Sequence, residues 1–243
     1  MINLTLMTFN IGSLYSEAPK EREAELLSLI SRLSPDIMCL EELPELPELM
    51  DGIAPAGGFT GRIYLPCSES HVCSGHRMGI GVYGKLPLKL LDTIALPRPA
   101  EYGFSSGRRE PIHQKYFCSL LVSAPRGAVN IVTGHGYPAH RYSFTREVYA
   151  PSFSVLDGFI AEAEHAGTPT VVLADFNIPD PLDCMPRAKA THRDIFDGES
   201  TRPSGRKTDG ILVPTGTKTI TKHNIPTGFD HNCLCATLEL PAR

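Results

Sequence analysis

The chain has 243 residues, 42% of them apolar, and a formal net charge of −4. That size supports one large domain or two small ones around a substantial core, with no disordered tail, heptad repeat or solenoid period. No apolar run reaches the roughly 20 residues that a membrane span needs, and residues 1–10 already read as a strand, so a cytoplasmic protein without a signal peptide is expected.

Residues 2–9 alternate like a strand, and a helix is expected over 18–33, with Pro19 in its first turn and Leu26, Leu27, Ile30 and Leu33 as its apolar stripe. Ser34-Pro35 stops it. A buried strand over 36–43 ends in Glu41-Glu42, and the Glu-Leu-Pro repeat over 42–49 reads as an extended, solvated loop. Further strands are expected at 79–83, 88–96, 116–123 and 128–134, with a long polar loop over 97–114. Helix returns over 143–166, where Pro151 opens a second segment and Gly167 supplies the C-cap. Strands at 170–174, 209–213, 218–222 and 233–240 complete the chain. Strands outnumber helices and follow one another at hairpin-length gaps. This pattern argues for two packed sheets with outer helices, and there is no G-x-G-x-x-G or P-loop to suggest a doubly wound nucleotide fold.

Five strand ends carry polar groups that a core would not choose: Asn10, Glu41-Glu42, His135, Asp175 with Asn177, and Asp230-His231. Acids, carboxamides and imidazoles gathered on one rim suit a hard divalent cation and a phosphate ester. In Val171-Val172-Leu173-Ala174-Asp175-Phe176-Asn177, Asp175 and Asn177 are two apart and can share a ligand, with Phe176 in the core between them. An Asx-turn closing the strand is the plainer reading. Alternation from Met38 and Leu40 puts Glu42 on one face and Glu41 on the other. Asp230-His231 reads either as a metal ligand beside a phosphate-contacting group or as a surface pair. Asp209, starting a strand, could orient a histidine and raise its pKa. His135 lies between glycines that would permit close approach of a ligand, or is a hydrogen-bonded core histidine.

Charge is unevenly spread: residues 1–60 hold ten acids against three bases, so the remainder is net basic. Arg108, Arg109, Arg141 and Arg206 fall in expected loops, which are solvated surface by default but would rim a site for an anionic substrate. Seven cysteines without tight spacing read as reduced thiols. The cluster Cys67, His71, Cys73, His76 matches no common zinc-finger spacing.

Taken in order, Phe9-Asn10-Ile11, Leu40-Glu41-Glu42, 79–88, Thr133-Gly134-His135, Ala174-Asp175-Phe176-Asn177, Asp209-Gly210-Ile211-Leu212 and Phe229-Asp230-His231 resemble the endonuclease/exonuclease/phosphatase superfamily of pancreatic-DNase-like phosphoesterases. The resemblance covers nearly the whole chain, 1–243, as a single catalytic domain. It implies an α/β fold, a four-layer α/β/β/α sandwich of two packed, mostly antiparallel sheets flanked by helices. It implies a Mg²⁺ ion, with Mn²⁺ as a substitute, held by Asn10, Glu42 and Asp230. Asp175 would align or deprotonate the attacking water, and Asn177 would orient that water or the phosphate. His231 would contact the scissile phosphate, Asp209 would fix and charge its ring, and His135 would stabilise developing charge. Arg108-Arg109-Glu110-Pro111 is similar to the backbone-contacting segment of DNase-like nucleases. The chain departs from the pattern at Gly12, where some branches carry an Asp, and at Gly134, Ala174 and Phe229.

Three functions compete. A metal-dependent phosphodiesterase acting on nucleic acid or a nucleotide is the leading expectation. A phosphoesterase acting on a lipid or sugar-phosphate headgroup is the alternative. A non-catalytic module is disfavoured because each essential position retains a competent group. A sequence pI near 6.1 and the absence of Trp argue against a dedicated duplex binder.

Overall fold

The computed structural model describes residues 1–15, 18–70, 73, 75–99, 114–139, 145–164 and 167–241, and the backbone alone of 104–105, 108–109 and 165. In chain order its elements are β1 (Ile2–Asn10), α1 (Pro19–Leu33), β2 (Ile37–Pro44), α2 (Pro47–Gly57), β3 (Gly61–Glu69), β4 (Arg77–Gly84), β5 (Leu88–Ala95), β6 (Phe104–Ser105) and β7 (Arg108–Arg109). There follow β8 (Tyr116–Ala124), β9 (Gly127–His135), α3 (Arg146–His165), β10 (Thr170–Asp175), α4 (Pro186–Thr191), β11 (His192–Asp194), β12 (Asp209–Pro214), β13 (Lys218–Ile225) and β14 (Cys233–Leu240).

Two six-stranded sheets result, ordered β13-β14-β1-β2-β4-β3 and β11-β12-β10-β9-β8-β5, with β6 and β7 a separate short hairpin. Strand alternation explains how they stack. Along β1, Leu4 and Leu6 face the other sheet, as do Ile37 and Cys39 of β2, Ile131 of β9 and Val171 and Leu173 of β10. The intervening Met7, Phe9, Met38 and Leu40 face outward under α1 and α2, where Leu26, Ile30, Leu49 and Ile53 cover them. On the other sheet Val132, Val172 and Ala174 lie under α3, against Leu156 and Ile160. This is the four-layer sandwich expected from the sequence.

Each sheet is antiparallel except for one parallel pair, β1 with β2 and β9 with β10. Asn10 is in register with Glu41, and Asp175 with His135. Antiparallel β12 places Asp209 opposite Asp175. The inward face of each parallel pair therefore runs out in polar residues at its C-terminal end, and the seam between the sheets opens there.

Three local expectations fail. Residues 47–57 form a helix rather than a loop: Pro47 occupies its first turn, where no N–H is needed, and Leu49, Met50 and Ile53 are buried against sheet one. Helix α3 runs through Pro151 without a break. Strand β3 was not evident in the sequence, because none of its residues is fully buried and it carries Pro66 at a bulge beside β4. All seven cysteines are free thiols.

Candidate active site

Asp175 is the hub of the polar seam. The apolar run of β10 carries it, 1% exposed, to the end of the inter-sheet face. Its Oδ2 accepts a hydrogen bond from Asn10 Nδ2 at 2.9 Å and lies 3.4 Å from His135 Nε2 and 3.8 Å from His231 Nε2. Its Oδ1 accepts the Asn177 backbone N–H at 2.9 Å, so the Asx-turn is present. The same turn, with Asn177 at φ 59°, brings Asn177 Nδ2 to 2.8 Å from His135 Nε2 and 3.1 Å from the Gly136 carbonyl, while Phe176 packs into the core. The two sequence readings of this segment are compatible. Burial, followed by the Asp209 carboxylate, raises the Asp175 pKa to about 7, against the lowering effects of His231 and Asn10.

Glu41 and Glu42 diverge for a backbone reason. Glu41 keeps the inter-sheet face, fully buried, and its Oε1 accepts the Thr8 hydroxyl at 2.8 Å. Burial, helped by Asp209 and Asp175, pushes its pKa well above the usual carboxylate range. Strict alternation would send Glu42 outward with Met38 and Leu40. A bulge between Leu40 and Leu43, with Glu42 at φ 55°, turns it into the seam instead. Its Oε1 then lies 3.5 Å from Asn10 Nδ2 and 3.6 Å from His135 Nε2. Gly12 makes room for it: a Cβ there would fall 2.1 Å from Glu42 Oε2. The missing Asp at this position is thus tied to where Glu42 sits.

The two histidines differ in their nearest neighbours. His231 Nδ1 lies 3.0 Å from both oxygens of Asp209, whose Oδ2 also accepts the hydroxyls of Thr201 at 2.8 Å and Thr208 at 2.9 Å. Burial works against an imidazolium there, but the charges of Asp209 and Asp175 and the Asp209 hydrogen bond outweigh it, raising the His231 pKa to about 10. His135 instead has the Lys115 ammonium 3.0 Å from Nδ1 and 3.3 Å from Nε2. Its flanking glycines have a packing reason. Gly134 fits under Phe117 and the Tyr116 carbonyl, and Gly136 against the Phe176 carbonyl, at distances a Cβ could not share.

Asp230 reaches the rim, half-exposed, with Oδ2 at 3.9 Å from His231 Nε2. Arg202 holds it, with Nη2 donating to the same oxygen at 2.5 Å and Nε to its carbonyl at 3.1 Å. Arg202, which the sequence did not single out, is therefore the arginine beside His231. Arg206 is exposed in the turn that follows it. Arg141 and the side chains of Arg108 and Arg109 lie outside the described residues, as does His71 of the cysteine–histidine cluster. Among the described residues, the group of acids, histidines and cysteines close enough to share an ion is Asp175, Asp209 and His231, one ligand atom of each lying within 4.8 Å of the others. Lys115 was missed too, although the β8–β9 hairpin that pairs Phe117 with Gly134 places it beside His135.

The two-sheet sandwich gathers acids, carboxamides and imidazoles at one strand-end rim, and this arrangement belongs to a family of hydrolytic phosphoesterases. The model of the Endonuclease/Exonuclease/phosphatase family matches residues 7–228, and the chain belongs to that family. No curated protein sequence matches it. Among solved structures, an endonuclease/exonuclease/phosphatase from Beutenbergia cavernae DSM 12333 superposes with a TM-score of 0.73 at 16% identity, over 99% of this chain and 72% of that one. ANGEL2, a 2′,3′-cyclic phosphatase in complex with adenosine-2′,3′-vanadate, gives 0.68 at 14% identity over 98% and 95%. The Bacteroides thetaiotaomicron mannosyl-6-phosphatase gives 0.65 at 12% over 98% and 100%.

Proposed function

We propose that the chain is a divalent-metal-dependent phosphodiesterase acting on nucleic acid or a nucleotide in the cytoplasm. The observation that carries this reading is the convergence of Asn10, His135 and His231 on the Asp175 carboxylate, with Glu42 alongside. Glu42, Asp175 and Asp209 crowd negative charge into one buried seam, and their donors are oxygen atoms. Such a set fits Mg²⁺ or Mn²⁺ better than a thiol-seeking metal. Glu42 and Asn10 would hold the ion, with Asp230 next to it once released from Arg202. Bound there, the ion would neutralise phosphate charge and activate the ester.

The rest falls to the chain's own groups. Asp175, with a pKa raised to about 7, is suited to take a proton from water near neutral pH. Asn10 fixes the Asp175 carboxylate and Asn177 the His135 ring. His231, kept cationic by Asp209, would donate a charged hydrogen bond to the phosphate as charge builds. Arg108, Arg109, Arg141 and Arg206 would follow the phosphates of a longer substrate.

The adenosine ligand of ANGEL2 favours a nucleotide substrate, and the mannosyl-6-phosphatase of the same fold keeps a sugar phosphate as the second reading. A panel of phosphoesters in Mg²⁺, Mn²⁺ and EDTA separates them. Hydrolysis of oligonucleotides or cyclic nucleotides above sugar phosphates and sphingomyelin is expected. The reverse order would replace the first reading by the second.

A further inference from the structure

Lys115 is the one strongly buried lysine of the seam, and nothing in the scheme above uses it. It is 9% exposed, directly before β8, and its ammonium faces the His135 ring at 3.0 and 3.3 Å. Among the described residues no carboxylate comes within ion-pairing distance of it. One imidazole lone pair satisfies one of its three N–H donors. Burying an ammonium without a counter-charge is costly, and its pKa is lowered by burial, with Glu42 and Asp175 opposing at longer range.

Lys115 lines a narrow cleft together with Glu42, Ser68, Met78, Gln114 and His135. Gln114 does not fill it: its amide donates to the Leu96 carbonyl at 2.7 Å, and its Oε1 accepts Arg98. His135 Nε2 is 3.3 Å from Lys115 Nζ and 3.4 Å from Asp175 Oδ2, so one ring links the ammonium to the carboxylate at the hub of the site.

We propose that Lys115 is a substrate-binding residue, whose ammonium donates to a non-bridging oxygen of the scissile phosphate on the His135 side. The inference rests on the phosphoesterase reading and deepens it. His231 and Lys115 would then both bind the phosphate, and the substrate anion would supply a close counter-charge that no described carboxylate gives Lys115. A charge-assisted hydrogen bond from a preorganised cation changes affinity by about 10- to 100-fold.

The test titrates inorganic phosphate into the full chain with fixed Mg²⁺, for the wild type, Lys115→Met and Lys115→Arg, alongside steady-state kinetics on a phosphodiester. Lys115→Met should weaken phosphate binding at least tenfold and raise KM by a similar factor, and Lys115→Arg should recover most of both. Equal phosphate affinity in the wild type and Lys115→Met overturns the inference, as does wild-type protein that does not bind phosphate in the millimolar range. If Lys115→Met does not fold, Lys115→Gln takes its place with the same criteria. Should the wild type hydrolyse no ester while Lys115→Met still loses phosphate, the catalytic reading falls and the anion site stands. Should the esters be hydrolysed with phosphate affinity unchanged in Lys115→Met, the anion site alone falls.

Discussion

His231 Nδ1 sits 3.0 Å from each carboxylate oxygen of Asp209, 22 residues earlier in the chain, and two threonine hydroxyls hold that carboxylate from behind. The ring cannot turn without breaking this set, so its Nε2 stays aimed at Asp175, 3.8 Å away. A cationic imidazole is thus built into the protein before any substrate arrives.

Replacing the carboxylate tests that relationship. In Asp209→Asn the ring loses its main charge partner, and the rate should fall on the order of 10²–10³. Stability should change with pH as well. The folded pKa of His231, about 10, lies above the ordinary 6.5, so its contribution is full below 6.5 and is lost as pH rises toward 10. Thermal melts from pH 6 to 10 should show this decline in the wild type and a flatter profile in Asp209→Asn. Parallel profiles would mean that His231 is not charged by Asp209.

Asp175 carries a folding cost for its role. Its pKa, raised from 3.8 to about 7 by burial and by Asp209, makes the ionised form unfavourable in the folded chain. Sign fixes the window: the penalty is absent below 3.8, grows as pH rises toward 7 and is complete above it. In EDTA, Asp175→Asn should melt higher than the wild type at pH 8, with a smaller gain at pH 5, and should have no activity at either. A lower melting temperature at pH 8 would show that the carboxylate is stabilising as it stands.

Gly12 offers a steric probe of Glu42. An added methyl would lie 2.1 Å from Glu42 Oε2, so Gly12→Ala must displace that carboxylate or the loop. Activity should drop about 10²-fold, the scale of a small misplacement at a reacting centre, with little change in melting temperature. Retained activity would mean that the position of Glu42 does not matter.

Much of this geometry was legible from local pattern. The apolar run before Asp175 announced a buried strand, and its acid and amide two apart announced a shared turn. Asp209 and His231 were visible as polar groups at strand boundaries, and the β10–β12 pairing that sets Asp209 opposite Asp175 supplied the rest. What stayed hidden depended on backbone exceptions and on pairing. The direction of Glu42 follows from a positive φ inside a bulge, which alternation cannot foresee. Helix α2 begins at a proline inside a repeat that looks extended. Lys115 gains its place only when β8 folds back on β9, and Arg202 only when its loop is brought against Asp230.

The measurement that bears most directly on metal-assisted phosphoester hydrolysis combines Mg²⁺ binding with turnover in wild type and Glu42→Ala. Mg²⁺ should raise the melting temperature of the wild type, as any ligand of the folded state does, and should support hydrolysis that EDTA abolishes. Glu42→Ala should keep the wild-type fold, lose most of the Mg²⁺-dependent rise and lose hydrolysis with it. Full hydrolysis by Glu42→Ala in EDTA would contradict the metal mechanism outright.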